Sequence, residues 1–267
     1  MKKYVPHLLI ILAFTISQLL ACSVANSFHR EGYALENPEN PINIFVIIFS
    51  IIIFSSVILL ISKYRKKLLK YFILFFFFIA SISIFDAFLH FISRQYSYIL
   101  SIIFSIFMLF LLIKYPRWYI IDTFGIFLAS GIIAIFSSLP IMYIIILISL
   151  LAIYDLISVY KTKHMVKLAK DALSTNLPLL LVFPKIKRHG KKDAMYMGLG
   201  DVVIPGMLIV ASYIQQDIKA LIFTLAGSLA GLSLLLFLVS SRPQPGLPFL
   251  NSGAIIGYLS YKILYGL

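Results

Sequence analysis

The chain has 267 residues, 61% of them hydrophobic, with a mean hydropathy of +1.00. No water-soluble core of this size hides so much apolar surface, so a soluble enzyme or binding module is excluded and no separate soluble domain fits. The net charge of +13, from 23 Lys and Arg against 10 Asp and Glu, is read as setting membrane orientation and touching anionic lipid, not as binding nucleic acid.

A membrane span needs about 20 apolar residues. In chain order such stretches run from Val5 to Ala25, Pro41 to Ile61, Tyr71 to Ile92, Ser97 to Ile113 and Tyr119 to Leu139. Four more run from Ile141 to Tyr160, Met195 to Tyr213, Ala220 to Val239 and Pro245 to Tyr265. The expected fold is therefore all-α, a polytopic membrane protein with nine transmembrane helices. A closed barrel would need short stretches of alternating polarity, whereas Phe75-Phe76-Phe77-Phe78 and Ile51-Ile52-Ile53 are apolar on every face. The pattern divides one membrane domain into a six-helix part, residues 1–160, a basic cytoplasmic loop, 161–194, and a three-helix part, 195–267.

Placing the amino terminus in the cytoplasm puts nineteen of the twenty-three bases on that side, leaving Arg30, Arg94, Lys219 and Lys262 at or near the other face. This positive-inside asymmetry predicts a cytoplasmic amino terminus and an external carboxyl terminus, with the cell membrane as the expected location. Met1-Lys2-Lys3, an apolar run and Leu19-Leu20-Ala21-Cys22 also resemble a lipoprotein signal, but an uncleaved first helix is expected. Cys22 is the single cysteine, so no internal disulfide forms, and no Cys/His cluster has zinc spacing; neither a metal nor a cofactor is expected.

Four aspartates fall inside the spans, and each needs a reason, because an ionisable group in the bilayer costs roughly 2.5–3.5 kcal/mol on insertion scales. Asp122 lies within a turn of the cytoplasmic end of its helix and reads as an interfacial charge within reach of Arg117. Asp86 lies four residues before His90, which puts the two on one helix face as a locally satisfied polar pair. Asp155 and Asp201 differ. One precedes and the other follows the same cytoplasmic loop, at a depth of roughly 10 Å on two antiparallel helices. Two such carboxyls cannot both ionise cheaply, so they share a proton, one member drawing a proton from water while the other serves the peptide carbonyl. That is the equipment of an aspartic protease.

The flanking residues add to this. Tyr154 precedes Asp155, and Gly198-Leu199-Gly200 precedes Asp201, with glycines that permit close backbone approach or local unwinding. Pro245-Gly246-Leu247-Pro248 opens the last span with few backbone donors, and irregular backbone at membrane depth is tolerated where it lines a wet cavity.

With these motifs in this order, the chain resembles the presenilin and signal-peptide-peptidase family of intramembrane aspartyl proteases, and in its compact loops and small size the archaeal homologues in particular. The resemblance implies that Asp155 and Asp201 are the catalytic pair and that Pro245, Leu247 and Pro248 shape the active site and substrate groove. It implies single-span membrane proteins as substrates, with the amino terminus external as for the presenilin branch. Gly246 departs from the alanine usual in that family, and the short loop lacks the long hydrophilic insertion of animal presenilins. A transmembrane substrate must unwind at the acids, and Leu179 to Phe183, or the residues just before Gly198, are expected to offer a strand edge to it.

Two rivals stand beside this reading. A prepilin or preflagellin peptidase shares the Gly-x-Gly-Asp motif but lacks the proline-leucine-proline element, and a proton-coupled transporter would use the same acids as a proton path. Zinc and serine intramembrane proteases lack their signatures here.

Overall fold

The computed structural model describes residues 5–30, 32, 35, 37–64, 66–90, 95–162, 180–185, 193–238 and 244–266. Among them are nine helices and one hairpin. The helices are α1 (Val5–Arg30), α2 (Ile42–Tyr64), α3 (Lys66–Leu89), α4 (Ser97–Lys114), α5 (Trp118–Phe136), α6 (Ile141–Ile157), α7 (Leu199–Gln215), α8 (Ile218–Leu238) and α9 (Leu247–Tyr265). A wider turn, Ser158–Thr162, continues α6, and strands β1 (Leu180–Lys185) and β2 (Asp193–Gly198) precede α7. Of the bases counted for orientation, Lys2, Lys3, Arg65, Arg94, Arg242 and, apart from Lys185, those between 163 and 192 lie outside the described residues, as do Leu177 to Leu179.

Among the described residues, six helices are long and apolar enough to cross a membrane: α1, α4, α5 and α8, with Leu68–Leu89 of α3 and Ile141–Lys161 of α6 and its continuation. Ile42–Ile58 and Leu199–Gln215 are shorter apolar helices. In apolar surroundings a helix satisfies every backbone group within itself, which is why uninterrupted Ile, Leu and Phe become helix here despite their β-branching or bulk. α1 runs without interruption through Cys22.

The structure departs from the sequence reading at the seventh span. Met195 to Gly198 is strand, and the helix starts only at Leu199. Gly198 takes an extended backbone, φ −64° and ψ 141°, and two glycines within three residues weaken helix initiation there. The fold thus adds to its helices an antiparallel pair, β1 and β2, in the register Leu180 with Gly198, Val182 with Tyr196 and Pro184 with Ala194. The two segments expected to offer alternative strand edges are partners of each other. The ninth helix begins at Leu247 rather than Pro245, with Pro248 in its first turn, where a missing N–H costs nothing.

α7 is the axis of the molecule. Val202, Val203 and every residue from Pro205 to Ser212 are buried, and α1, α5, α6, α8 and α9 all pack on it. α8 and α9 approach closest. A Cβ on Gly227 would fall on the carbonyl oxygen of Gly253, one on Gly231 on that of Phe249, and one on Gly257 on that of Phe223. Two Gly-x-x-x-Gly faces therefore meet backbone to backbone. α2, α3 and α4 form the periphery, where Phe54, Phe72 and Phe76 cluster and Phe45, Phe49, Phe107 and Phe110 face outward as a lipid-facing surface does.

Candidate active site

Three elements converge at one end of the bundle: the last turn of α6, the first turn of α7 and the entry to α9. Asp155 lies near the end of α6 and is 6% exposed. Its Oδ2 accepts the Leu247 backbone N–H at 3.2 Å, and the Gly246 amide is also directed at the carboxylate. Asp201 is the third residue of α7 and half-buried. Its carboxylate accepts the N–H of Gly198, so the acid reaches back to cap the helix that carries it, at the favourable end of the helix dipole.

Both acids border one dipeptide. A Cβ on Gly246 would lie 2.9 Å from both Cγ and Oδ1 of Asp201, while the next amide, Leu247, donates to Asp155. The carboxylates lie within electrostatic range of each other. The departure at Gly246 is thus a close approach, not merely a looser backbone: the hydrogen in place of a methyl group is where the Asp201 carboxyl rests.

Of the other sequence-predicted residues, Gly198 is packed against Asp201, with an added Cβ 3.2 Å from Oδ2. Pro245 is buried with Gly246 and Leu247, whereas Tyr154, Leu199 and Pro248 are half-buried at the margin. Gly200 is exposed, and only Ile204 Cδ1 comes within 4 Å of where its Cβ would be, so packing does not demand a glycine there.

Several supports escaped the sequence reading. Asn251, one turn into α9, donates Nδ2 to the Ile148 carbonyl of α6 at 2.8 Å and holds together the two helices that carry the Leu247 to Asp155 bond. Gln18 of α1 donates Nε2 to the Val202 carbonyl at 3.1 Å, next to Asp201. Pro205 cannot donate to the Asp201 carbonyl four residues earlier, which frees this turn from its usual backbone bond and makes outside support useful. Tyr160 donates its hydroxyl to Gln244 Oε1 at 2.5 Å, fastening the turn after α6 to the segment before Pro245. The signal for two of these, Gln18 and Asn251, lies in the sequence, since an amide in an apolar helix needs a partner as an acid does.

Asp122 is not the interfacial charge expected. It is 6% exposed, its Oδ1 accepts the Val182 N–H at 2.6 Å, and Arg117 donates instead to the Tyr119 hydroxyl at 3.0 Å. His90, just past the end of α3, has its Nδ1 3.5 Å from Ser97 Oγ.

Residues 11–267 match the family described as signal-peptide peptidase, presenilin aspartyl protease. A solved structure of a presenilin family intramembrane aspartate protease, in a P2 crystal form, is similar at 29% identity over 98% of this chain and 99% of that one, with a TM-score of 0.76. A C222 form, also described as a presenilin family intramembrane aspartate protease, gives 28% identity, the same coverage and a TM-score of 0.71. No curated protein matches significantly. The chain therefore belongs to the signal-peptide-peptidase and presenilin family, and it is an integral multi-pass membrane enzyme, an aspartic endopeptidase that cuts within the bilayer.

Proposed function

We propose that Asp155 and Asp201 are the carboxylate pair that performs this hydrolysis, and that Gly246 and Leu247 form the floor on which the pair is set. The observation that carries this is the convergence of both acids, from two helices that do not follow directly on one another in the chain, on one dipeptide. The pair holds one proton between its members. The ionised carboxylate takes a proton from water, whose oxygen attacks the scissile carbonyl carbon while the protonated carboxyl hydrogen-bonds the carbonyl oxygen. Collapse of the tetrahedral diol breaks the C–N bond, and the leaving amine takes its proton from the pair. No covalent intermediate is needed.

The substrates are single-span membrane proteins with an external amino terminus, entering laterally from lipid. All nine helices cross the bilayer, α2, α7 and α9 being held there by their neighbours, with the amino terminus cytoplasmic and the carboxyl terminus external in the cell membrane. Residues 161–194 form the cytoplasmic connection between the six-helix and three-helix parts. Its hairpin is where unwound substrate finds replacement hydrogen bonds, and Tyr154, Leu199, Gly200, Pro245 and Pro248 line the margin of the groove.

The test is incubation of the purified protein with a helical single-span substrate, with mass spectrometry of the products and a transition-state-mimicking inhibitor as control. Inhibitor-sensitive cuts inside the span support the assignment. A cut confined to a leader peptide at the membrane surface supports a prepilin-type peptidase, and proton-driven solute uptake without cleavage supports a transporter.

A further inference from the structure

The hairpin delivers the chain to Asp201, since β2 ends at Gly198 and the acid follows three residues later. α5 holds that hairpin. Asp122 takes the Val182 amide at 2.6 Å, and Gly125, three residues along the same face, is cut back to receive it: a Cβ there would lie 2.8 Å from Leu181 Cδ2 and 3.4 Å from Leu199 Cδ2. Leu181 and Phe183 are 1% and 3% exposed. Asp122 Oδ2 is buried with no hydrogen-bond partner among the described residues. An apolar side chain would pack here without the desolvation an acid suffers, so the carboxylate is explained by what it accepts.

The position of that bond also assigns the edges of the sheet. In an antiparallel pair, successive residues point their N–H and C=O groups alternately toward and away from the partner. The Val182 N–H points to Asp122, so Val182 and Tyr196 form a pair without ladder bonds, and Leu181 with Met197 and Phe183 with Met195 exchange them. The next outward position on β1 is Pro184, which has no N–H. Of the three outward positions on β1, Val182 is taken by a carboxylate and Pro184 has no N–H to offer. On β2, Ala194 and Tyr196 turn their backbone groups outward, and Tyr196 is 47% exposed.

We propose that Asp122 is a positioning residue for the proteolysis: by accepting the Val182 amide it locks β1 to α5 and so fixes the strand pair that delivers the chain to Asp201. This rests on the Asp155 and Asp201 reading. Asp122→Asn keeps an acceptor for Val182, and Asp122→Leu does not. Val182→Pro removes the donor.

The experiment measures kcat and KM of full-length variants on the single-span substrate, counting active molecules by titration with the transition-state mimic. Asp122→Leu should lose about tenfold or more in kcat/KM, mostly in KM, and Asp122→Asn should stay within about threefold of wild type. Asp122→Leu combined with Val182→Pro should be no worse than Val182→Pro alone, because the acceptor matters only while the donor is there. Wild-type kinetics in Asp122→Leu, equal damage from Asn and Leu, or additive losses in the double variant would each overturn the proposal. Asp155→Asn in the same assay separates the two readings, since its silence beside a fully active Asp122→Leu removes only the role of Asp122.

Discussion

A methyl group at position 246 would meet the Asp201 carboxyl at 2.9 Å, and the carboxyl is the softer partner because it ends a side chain that can rotate. Gly246→Ala should therefore displace the acid by a few tenths of an ångström and leave the fold intact. Because a misplacement of about 1 Å can cost roughly a hundredfold in rate, we expect kcat to fall by about threefold to tenfold with the thermal midpoint unchanged. A Gly246→Ala enzyme as fast as wild type would show that Asp201 does not depend on this space. The two acids themselves were legible in the sequence, since a carboxylate in an apolar run demands a reason and these flank one loop at matched depth. The role of Asp122 was not legible: its partner is a backbone amide 60 residues away, and no side-chain pattern announces an amide.

Among the elements, α8 and α9 depend on glycine more than any other pair, with Gly227, Gly231, Gly253 and Gly257 in mutual backbone contact. No side chain can rotate aside there, because each added Cβ would meet main-chain atoms. Gly253→Ala should force the helices apart and cost about 1–3 kcal/mol, read as a lowered unfolding midpoint in detergent, whereas Gly200→Ala, facing open space, should be nearly neutral. Equal stability of the two variants would contradict the close packing. Helix positions were readable because lipid permits little else for a long apolar run. The hairpin was only half readable: Leu179 to Phe183, or the residues just before Gly198, were expected to offer an edge, but the pairing of β1 with β2 joins residues up to 18 apart in sequence and no local pattern announces it. Met195 and Met197 look helical by composition and become strand because Gly198 and Gly200 stop the helix behind them.

At the scale of the molecule, α7 is wrapped by five helices, so the turn bearing Asp201 is supported from α1 by Gln18, while Asn251 of α9 holds α6 at Ile148, about two turns before Asp155. The peripheral α2, α3 and α4 touch neither acid among these bonds, and variation there should alter lipid contact more than chemistry. The positive-inside argument predicts opposite faces for Asn40 and Lys161. In a Cys22→Ser background, Asn40→Cys should react with an impermeant thiol reagent from outside intact cells, and Lys161→Cys only after the membrane is opened. The reverse pattern would invert the orientation and, with it, the class of substrate that can present its external amino terminus.

The chemical assignment meets its most direct test in single-turnover cleavage of a single-span substrate by Asp155→Asn and Asp201→Asn enzymes, each shown to be inserted and folded. One carboxyl cannot act as both base and acid, so each variant should fall to background, with no shortened product by mass spectrometry. Retained, inhibitor-sensitive cleavage by either variant would mean that the acids meeting at Gly246 and Leu247 are not the ones that split the peptide bond.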